Sequence, residues 1–498
     1  MEKRKESRKS SQKRKGSLCP VSDLCGGCQY LSLPYEEQLN LKQKELEKLL
    51  GRFCKVYPIT GMDNPFHYRN KVHAVFGYEK GKVISGVYQE RTHNLIPVEQ
   101  CLIEDKKADE IIGSIRGLVK SFRIKTYDED RGYGLLRHVL VRRGFATGEI
   151  MVVLVTASLD FPSKKNFVKA LLELHPEITT IVQNVNRRDT SMVLGDKEKV
   201  MFGRGYIEDE LCGCRFYLSS RSFYQINPVQ TEHLYRKAVE LAGLAGEEIV
   251  MDAYCGIGTI GIIAAKKAKQ VIGVELNQDA VRDAVRNAQR NEISNIRFYC
   301  KDAAKFMTFM AAEGKKIDVV LMDPPRTGTN QEFINAVRAV KARRVVYISC
   351  GPDTLARDLK EFEKAGYEAK GAWGYDLFPV TRHVEAIVLL SHKSPDSVIN
   401  VKVEFGKGKG KVPLDAIVER AKKYQPKPKI TYKMIQEYVE KKYGFKVHTA
   451  YIAEVERSLG LTMYGVPNAV EELKCPRKRP PKEKVEAITD AFKYFEVI

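Results

Sequence analysis

No run of apolar residues in this chain of 498 is long enough to span a membrane, and none follows the basic residues at its start. A membrane-crossing helix and a secretory signal are therefore not expected, and the expected location is cytoplasmic. Internal repeats and long low-complexity segments are lacking too, which argues against repeat architectures. Acidic residues are in short supply: 63 Asp and Glu stand against 83 Lys and Arg, a formal net charge of +20. That balance fits a polyanionic partner, nucleic acid, and no membrane. Eleven cysteines supply only one CxxC pair, Cys25–Cys28. In a long chain of cytosolic character, cysteines point to metal ligation or catalysis rather than to a disulfide scaffold.

A chain of this length exceeds what one core usually holds, so two to four domains are expected. Residues 1–17 carry Lys3, Arg4, Lys5, Arg8, Lys9, Lys13, Arg14 and Lys15 with almost nothing apolar between them, which predicts a disordered, phosphate-seeking tail. From 18 to 226 short alternating runs such as 71–77 and 149–155 read as strands separated by glycine turns, a β-rich domain suited to RNA binding. At Asn227 the rhythm changes. Asn227 caps, Pro228 suits a first helical turn, and an amphipathic helix runs towards Gly243. Apolar strands at 248–254, 270–275, 296–300, 318–323, 345–350 and 385–391 then alternate with helical patterns, the signature of a doubly wound α/β sheet over 227–395. Residues 396–498 loosen through Lys407-Gly408-Lys409-Gly410-Lys411 and end in a small helical module, with helices at 431–443 and 449–459 stopped by Gly444 and Gly460.

Gly256-Ile257-Gly258-Thr259-Ile260-Gly261 matches GxGxxG, which alone does not separate a dinucleotide from other adenosine-bearing cofactors. Its neighbours discriminate. Asp252 lies in the strand before the glycines, Glu275 closes the next strand, and Asp302 follows the third. Glu275 is placed to accept hydrogen bonds from ribose hydroxyls. Asp252 and Asp302 suit a sulfonium and an adenine amine, whereas the pyrophosphate of a nicotinamide cofactor would be repelled by carboxylates. S-adenosylmethionine is the expected cofactor, and an iron–sulfur oxidoreductase using nicotinamide is the alternative from another class. A non-catalytic RNA-binding or ribosome-assembly protein is a third.

The fourth strand runs into Asp323-Pro324-Pro325-Arg326, where open α/β sheets place substrate-binding groups. Enzymes that methylate exocyclic amines use a related turn, so this element leaves the target atom open. Cys350, after a buried-type strand and before Gly351-Pro352, and Glu385, at the mouth of the last strand, narrow it. Carbon-5 of a pyrimidine is not nucleophilic enough to be methylated unaided. A thiolate adding at carbon-6 makes it so, and a base then removes the carbon-5 proton. Near the N-terminus, Cys19, Cys25 and Cys28, with the distant Cys101, can hold a tetrahedral zinc or an iron–sulfur cube. Cys212-Gly213-Cys214 reads as two thiols on one face of a strand, incidental to metal binding.

From Cys19 to about Ser391 these motifs resemble the RNA uracil-5-methyltransferases of the TrmA and RumA (RlmD) group. The resemblance rests on Ser222-Phe223-Tyr224-Gln225-Ile226-Asn227-Pro228, on 252–261, on Asp323-Pro324-Pro325-Arg326, on Ser349-Cys350-Gly351 and on His383-Val384-Glu385. It implies Cys350 as nucleophile and Glu385 as base. It also implies cofactor contacts from Gln225, Asp252, Tyr254, Gly256, Gly258, Glu275, Asp302 and Asp323, with Phe223 and Asp323 on the substrate. Phe223 and Tyr224 become candidates to stack on a flipped uridine. Four cysteines with one CxxC are similar to the members that carry a 4Fe-4S cluster, which implies the ribosomal branch and 23S rRNA, with tRNA as the alternative and no DNA. The expected particle is a monomer. Two departures stand out: too few residues precede Cys19 for the small RNA-binding barrel many such enzymes begin with, and the C-terminal module has no counterpart in the family core.

Overall fold

In a computed structural model of the chain, the residues described are 18–90, 92–188, 192–393, 431–459 and 480–495. The basic tail, the stretch 407–411 and Gly460 lie outside them. The chain divides into two compact units, Met1–Asp396 and Ser397–Ile498.

The larger unit is built on two principal sheets. Eight strands form the first, in the spatial order Val56–Thr60, Tyr367–Tyr375, Glu385–His392, Arg344–Ser349, Val319–Met322, Ile249–Ala253, Gln270–Glu275 and Ile296–Cys300. All run parallel except Glu385–His392, which is antiparallel to both neighbours. Parallel strands must be covered on both faces, and these are. Val250, Val271, Leu321, Val346 and Ile348 share one core with the helices Pro228–Ala242 and Thr259–Ala265. Met251, Val274, Val320, Met322 and Tyr347 share another with the helices Tyr35–Leu50, Gln331–Val340 and Pro352–Lys364.

The second sheet has seven strands, in the order Leu95–Pro97, Lys82–Tyr88, Lys71–Glu79, Leu136–Arg143, Ile150–Thr156, Ile178–Val185 and Lys197–Phe202. Beside its strands this region carries helices that the sequence reading did not place, Lys106–Ser121 and Lys164–Leu174, which cover one face of the sheet. The first of these buries Ile111, Ile112, Ile115 and Val119, a 3.6-residue stripe; each such side chain contributes about 2 kcal/mol on burial. The opposite face, through Leu140, Met151, Val153 and Val155, joins the core of the first sheet. Cys212-Gly213-Cys214 is likewise not a strand. Cys212 (φ 52°) and Gly213 (φ 70°) make the hairpin turn between Ile207–Leu211 and Cys214–Leu218, so the two thiols do not share a strand face.

The N-terminal segment is tied to the far end of the unit. Val56–Thr60 pairs in parallel with Tyr367–Tyr375. Lys42, on helix Tyr35–Leu50, donates to Asp376 Oδ1 at 2.6 Å and to the Phe378 carbonyl at 3.1 Å, with both charged side chains fully buried. Tyr35 donates its hydroxyl to Asp376 Oδ2 at 2.8 Å. Two residues beyond Phe378, Val380 adopts φ 59°, a conformation costly for a β-branched side chain. It is held from three sides: its N–H donates to Gln38 Oε1 (3.0 Å), its carbonyl accepts from the Tyr30 N–H (2.9 Å), and its side chain is 1% exposed.

The smaller unit contains helices Tyr432–Tyr443, Thr449–Ser458 and Lys482–Tyr494, packed through Ile435, Val439, Ile452, Val455, Ile488 and Phe492. Thr431 caps the first by accepting from the Met434 N–H, and Gly444 (φ 74°) ends it.

Removing the cation of a buried pair strands the remaining charge, at a cost of about 3–5 kcal/mol. Lys42→Met should therefore lower the urea midpoint of the larger unit markedly, and Lys42→Met with Asp376→Leu should restore part of the loss; equilibrium unfolding followed by circular dichroism checks both.

Candidate active site at the carboxyl edge of the sheet

Parallel strands deliver their last residues to one edge, and a cavity of about 700 Å³ opens there. Asp252 comes from the strand Ile249–Ala253, Glu275 from the end of the next, Asp302 from the turn after Ile296–Cys300, Asp323 from the turn after Val319–Met322, and Cys350 from the residue after Ser349. Glu385 reaches the same edge although it begins its strand. Because Glu385–His392 runs antiparallel with Ser349 opposite Ala386, its first residue lies beside the last of its neighbour. The reversed strand thus brings the carboxylate to the thiol.

The cofactor half is shaped by backbone. Asp252 Oδ2 accepts the Gly261 N–H at 2.8 Å, and a Cβ at Gly261 would lie 2.6 Å from that same oxygen, so only glycine permits the contact. Gly258 (φ 82°) starts helix Thr259–Ala265; it does not line the cavity, and its role there is to turn the chain. Gly256 (φ 54°) lines it and donates its N–H to Glu275 Oε2 at 3.1 Å. Tyr254 (φ 63°) lines it as well, its hydroxyl sharing a 3.0 Å hydrogen bond with Thr329. Asp302 both lines the cavity and caps helix Ala303–Ala312 through the Lys305 N–H.

At the other half, Gln225, Phe223 and Asp323 line the wall together with Cys350 and Glu385. Phe223 is 68% exposed, while Tyr224 is buried in the core behind it, which removes Tyr224 as a stacking surface. The loop carrying Phe223 is fixed from below by Arg142, fully buried, which donates to the carbonyls of Ser219 (2.8 Å) and Ser222 (2.6 Å).

Electrostatically the cavity is acidic. Burial raises Asp252 to about 7, and Asp323 and Glu275 add to the effect. Burial alone raises Asp323 to about 7. Burial, reinforced by Asp323 and opposed by Arg326, holds the Glu385 carboxyl well above the usual range, and its Oε2 has no hydrogen-bond partner. Burial, then Glu385 and Asp323, push the Cys350 thiol up to about 11, with Arg326 acting the other way. A cation in this cavity would lower all four.

A second cavity, of about 280 Å³, is lined by Cys19, Cys25, Cys28 and Cys101 together. Among the described residues, no group of three or more His, Cys, Asp or Glu side chains is placed to hold a metal ion. Burial and the neighbouring Cys25 and Cys19 raise the Cys28 thiol to about 11, and burial raises Cys101 to about 12. Leu31, Tyr68, Ile103 and Val380 pack against this site, so its wall is shared with the strained segment before Glu385.

The description tRNA (Uracil-5-)-methyltransferase names the family whose profile matches residues 34–393, most of the chain and all of the strands that frame the first cavity. The chain belongs to this family. An RNA methyltransferase of Halalkalibacterium halodurans is 43% identical over 390 residues, covering 77% of this chain and 85% of its own, and one of Caldanaerobacter subterraneus is 41% identical over 384, covering 76% and 85%. Among solved structures, the Pyrococcus abyssi tRNA (uracil-54, C5)-methyltransferase in complex with S-adenosyl-L-homocysteine has a TM-score of 0.62 and 27% identity, covering 74% of this chain and 86% of that one. This methyltransferase is accordingly an S-adenosylmethionine-dependent enzyme acting on RNA, with the α/β methyltransferase fold. No helix among the described residues is long and apolar enough to cross a membrane.

The sequence reading missed several lining residues, among them Arg69, Tyr235 and Phe378. Arg69 comes from an isolated bridge to Glu104 just ahead of the strand Lys71–Glu79, and Phe378 from the segment tied to Lys42, so neither belongs to a local motif. Tyr235 is buried behind Gln225 and Thr259 and hydrogen-bonds both.

Because Asp252, Asp323 and Glu385 have raised pKa values, a fraction is protonated near neutral pH, and an entering cation expels those protons. At about pH 6.5, titration calorimetry in buffers of different ionisation enthalpy should show S-adenosylmethionine, a sulfonium, releasing more protons than the neutral S-adenosylhomocysteine.

Proposed function

We propose that this enzyme methylates carbon-5 of a uridine in RNA through a covalent adduct with Cys350. The observation that carries the reading is the meeting of Cys350 and Glu385 in one cavity with Asp252, Glu275 and Asp323, by way of the reversed strand. S-adenosylmethionine supplies an electrophilic methyl group, and Asp252, Glu275, Asp302, Gln225 and Tyr254 are the side chains that would hold it. Cys350 sulfur adds to carbon-6 of the uracil, and the electron pair moves to carbon-5 as an enolate. Carbon-5 takes the methyl group. Glu385 then removes the carbon-5 proton, the carbon-6–sulfur bond breaks, and the thiolate leaves with the ring double bond restored. Asp323 and Gln225 orient the uracil, and Phe223 stacks on a base extruded from the RNA, an extrusion that costs roughly a few kcal/mol. An ionised Glu385 matches the state the cavity takes once positive charge has entered it.

Cys19, Cys25, Cys28 and Cys101 would hold a 4Fe-4S cluster. Four thiols line one cavity, and a single CxxC pair with a distant fourth cysteine is the pattern that favours the cluster over zinc. The cluster would staple the N-terminal segment against the wall shared with Val380; methyl transfer itself needs no electron. Cluster-bearing members point to 23S rRNA as substrate. The named activity of the Pyrococcus abyssi neighbour, on transfer RNA, makes a tRNA uridine the second reading.

Cys350→Ala should abolish transfer of labelled methyl while RNA affinity stays within a few-fold, and turnover by that variant would refute the covalent route. Glu385→Gln should trap a methylated protein–RNA adduct visible as a denaturation-resistant band. Its rate of formation should climb with pH from about 7 to about 9, since the Cys350 thiol titrates high and each step of pH raises the thiolate fraction. Anaerobically purified protein should carry about four iron and four sulfide per chain with visible absorbance, and Cys101→Ser should lose both; colourless, iron-free wild type with bound zinc would replace the cluster by zinc. Mapping 5-methyluridine in total RNA with and without the enzyme decides between the two substrates.

A further inference from the structure

Beside the mouth of the acidic cavity lies a patch of opposite sign that the reaction does not use. Lys71 and Arg142 face each other across the strands Lys71–Glu79 and Leu136–Arg143, so their side chains lie on one face of the sheet, and Arg69, in the bridge to Glu104 two residues ahead, also bears on Lys71. Arg142 is not free to bind anything, since both terminal nitrogens serve Ser219 and Ser222. Lys71 is different. Burial first, then Arg142 and Arg69, lower its pKa to about 7; both charged groups bearing on it are cations, and no carboxylate is among them. Arg69 has Glu104 nearby, yet its Nε is buried without a hydrogen-bond partner. His73, next along the face, also leaves Nε2 unpartnered and packs its ring against His138.

Position gives this patch its meaning. Arg69 lines the catalytic cavity with Phe223, Gln225 and Ile226, and the Asn70 N–H donates to the Ile226 carbonyl at 3.0 Å. Lys71 is half-buried, opposite the arginine that anchors the Phe223 loop, and its neighbour Arg69 shares the cavity wall with Phe223. Keeping a half-buried ammonium beside two guanidinium groups with no carboxylate bearing on it is unfavourable, and an arriving anion relieves it.

We propose that Lys71, with Arg69 beside it, is a phosphodiester subsite that grips the RNA backbone next to the nucleotide stacked on Phe223. The subsite rests on the RNA-uridine reading above and deepens it by fixing where the backbone passes. Its contribution is sequence-independent, as a phosphate contact carries no base information. Arg142 adds positive potential from behind without touching the ligand.

The experiment is fluorescence anisotropy of the full-length holoenzyme with a labelled, uridine-containing single-stranded oligoribonucleotide, over a series of potassium chloride concentrations. Lys71→Met, which keeps the apolar stem, should weaken binding roughly tenfold at moderate salt and reduce the slope of log Kd against log salt by about one. Lys71→Arg should recover most of the affinity. Binding of S-adenosylhomocysteine, measured by calorimetry, reports that the cofactor pocket has formed in each variant. If Lys71→Met does not fold, Lys71→Gln supplies the same reading. Wild-type affinity and slope in the neutral variant overturn the subsite. Wild-type enzyme that binds this RNA but transfers no labelled methyl to any cellular RNA overturns the uridine reading instead, and leaves the salt-slope result to stand by itself.

Discussion

Three carboxylates, the buried Asp252 and Glu385 and the half-buried Asp323, line one cavity, and the cation that opposes Glu385 there is Arg326, on an exposed turn. Such a cluster is costly to keep ionised and poorly placed to pair internally, so the site is strongly biased towards receiving positive charge. Much of the surrounding architecture serves this. The Gly261 N–H is aimed at Asp252, the Asp-Pro-Pro turn fixes Asp323 at the sheet edge, and the reversed strand turns Glu385 inward rather than out to solvent. Burial and the same acidity raise the Cys350 thiol, which links its ionisation to what occupies the cavity.

Outside this acidic centre, two buried cations of the N-terminal half position its walls. Arg142 spends its guanidinium on two backbone carbonyls and so positions the loop bearing Phe223. Lys42 spends its ammonium on Asp376 and the Phe378 carbonyl, which holds the opposite wall. Between them the aromatic ring and the wall that face the substrate are set by buried ionic contacts drawn from the N-terminal half of the chain. The two sheets, with separate helical layers, also share an apolar core through Leu140, Met151 and Val153 and belong to one compact unit.

Motifs local in sequence were legible: the strands at 270–275 and 296–300, the Asn227 cap, the Gly258 turn, and the acids at strand ends all lie where periodicity and turn chemistry put them. What escaped was long-range. Tyr367–Tyr375 carries Gly371 and Gly374 with Glu368 and Lys370, too weak a strand pattern to read, and it is stabilised by neighbours on both sides. Strand direction is not written in the residues: Glu385 reads only as an acid at the mouth of the last strand, and its inward turn is explained by the register of Ser349 opposite Ala386. The helices covering the seven-stranded sheet were hidden because the alternation of flanking runs dominated the reading, although Ile111, Ile115 and Val119 keep helical spacing. Arg69 and Phe378 reach the cavity by tertiary contact alone.

The parallel pairing of Val56–Thr60 with Tyr367–Tyr375 has a kinetic side. A strand made early in synthesis must wait for one made some 300 residues later before its edge is satisfied, and contacts of such separation are slow to form. At ribosomal elongation rates the N-terminal segment spends tens of seconds with unpaired backbone groups. The helix Tyr35–Leu50 and its buried lysine are in the same situation, since Asp376 has yet to emerge. Completion of the catalytic wall is thus among the last events in the maturation of the nascent chain, and an enzyme truncated before residue 367 would be left with an open sheet margin prone to self-association.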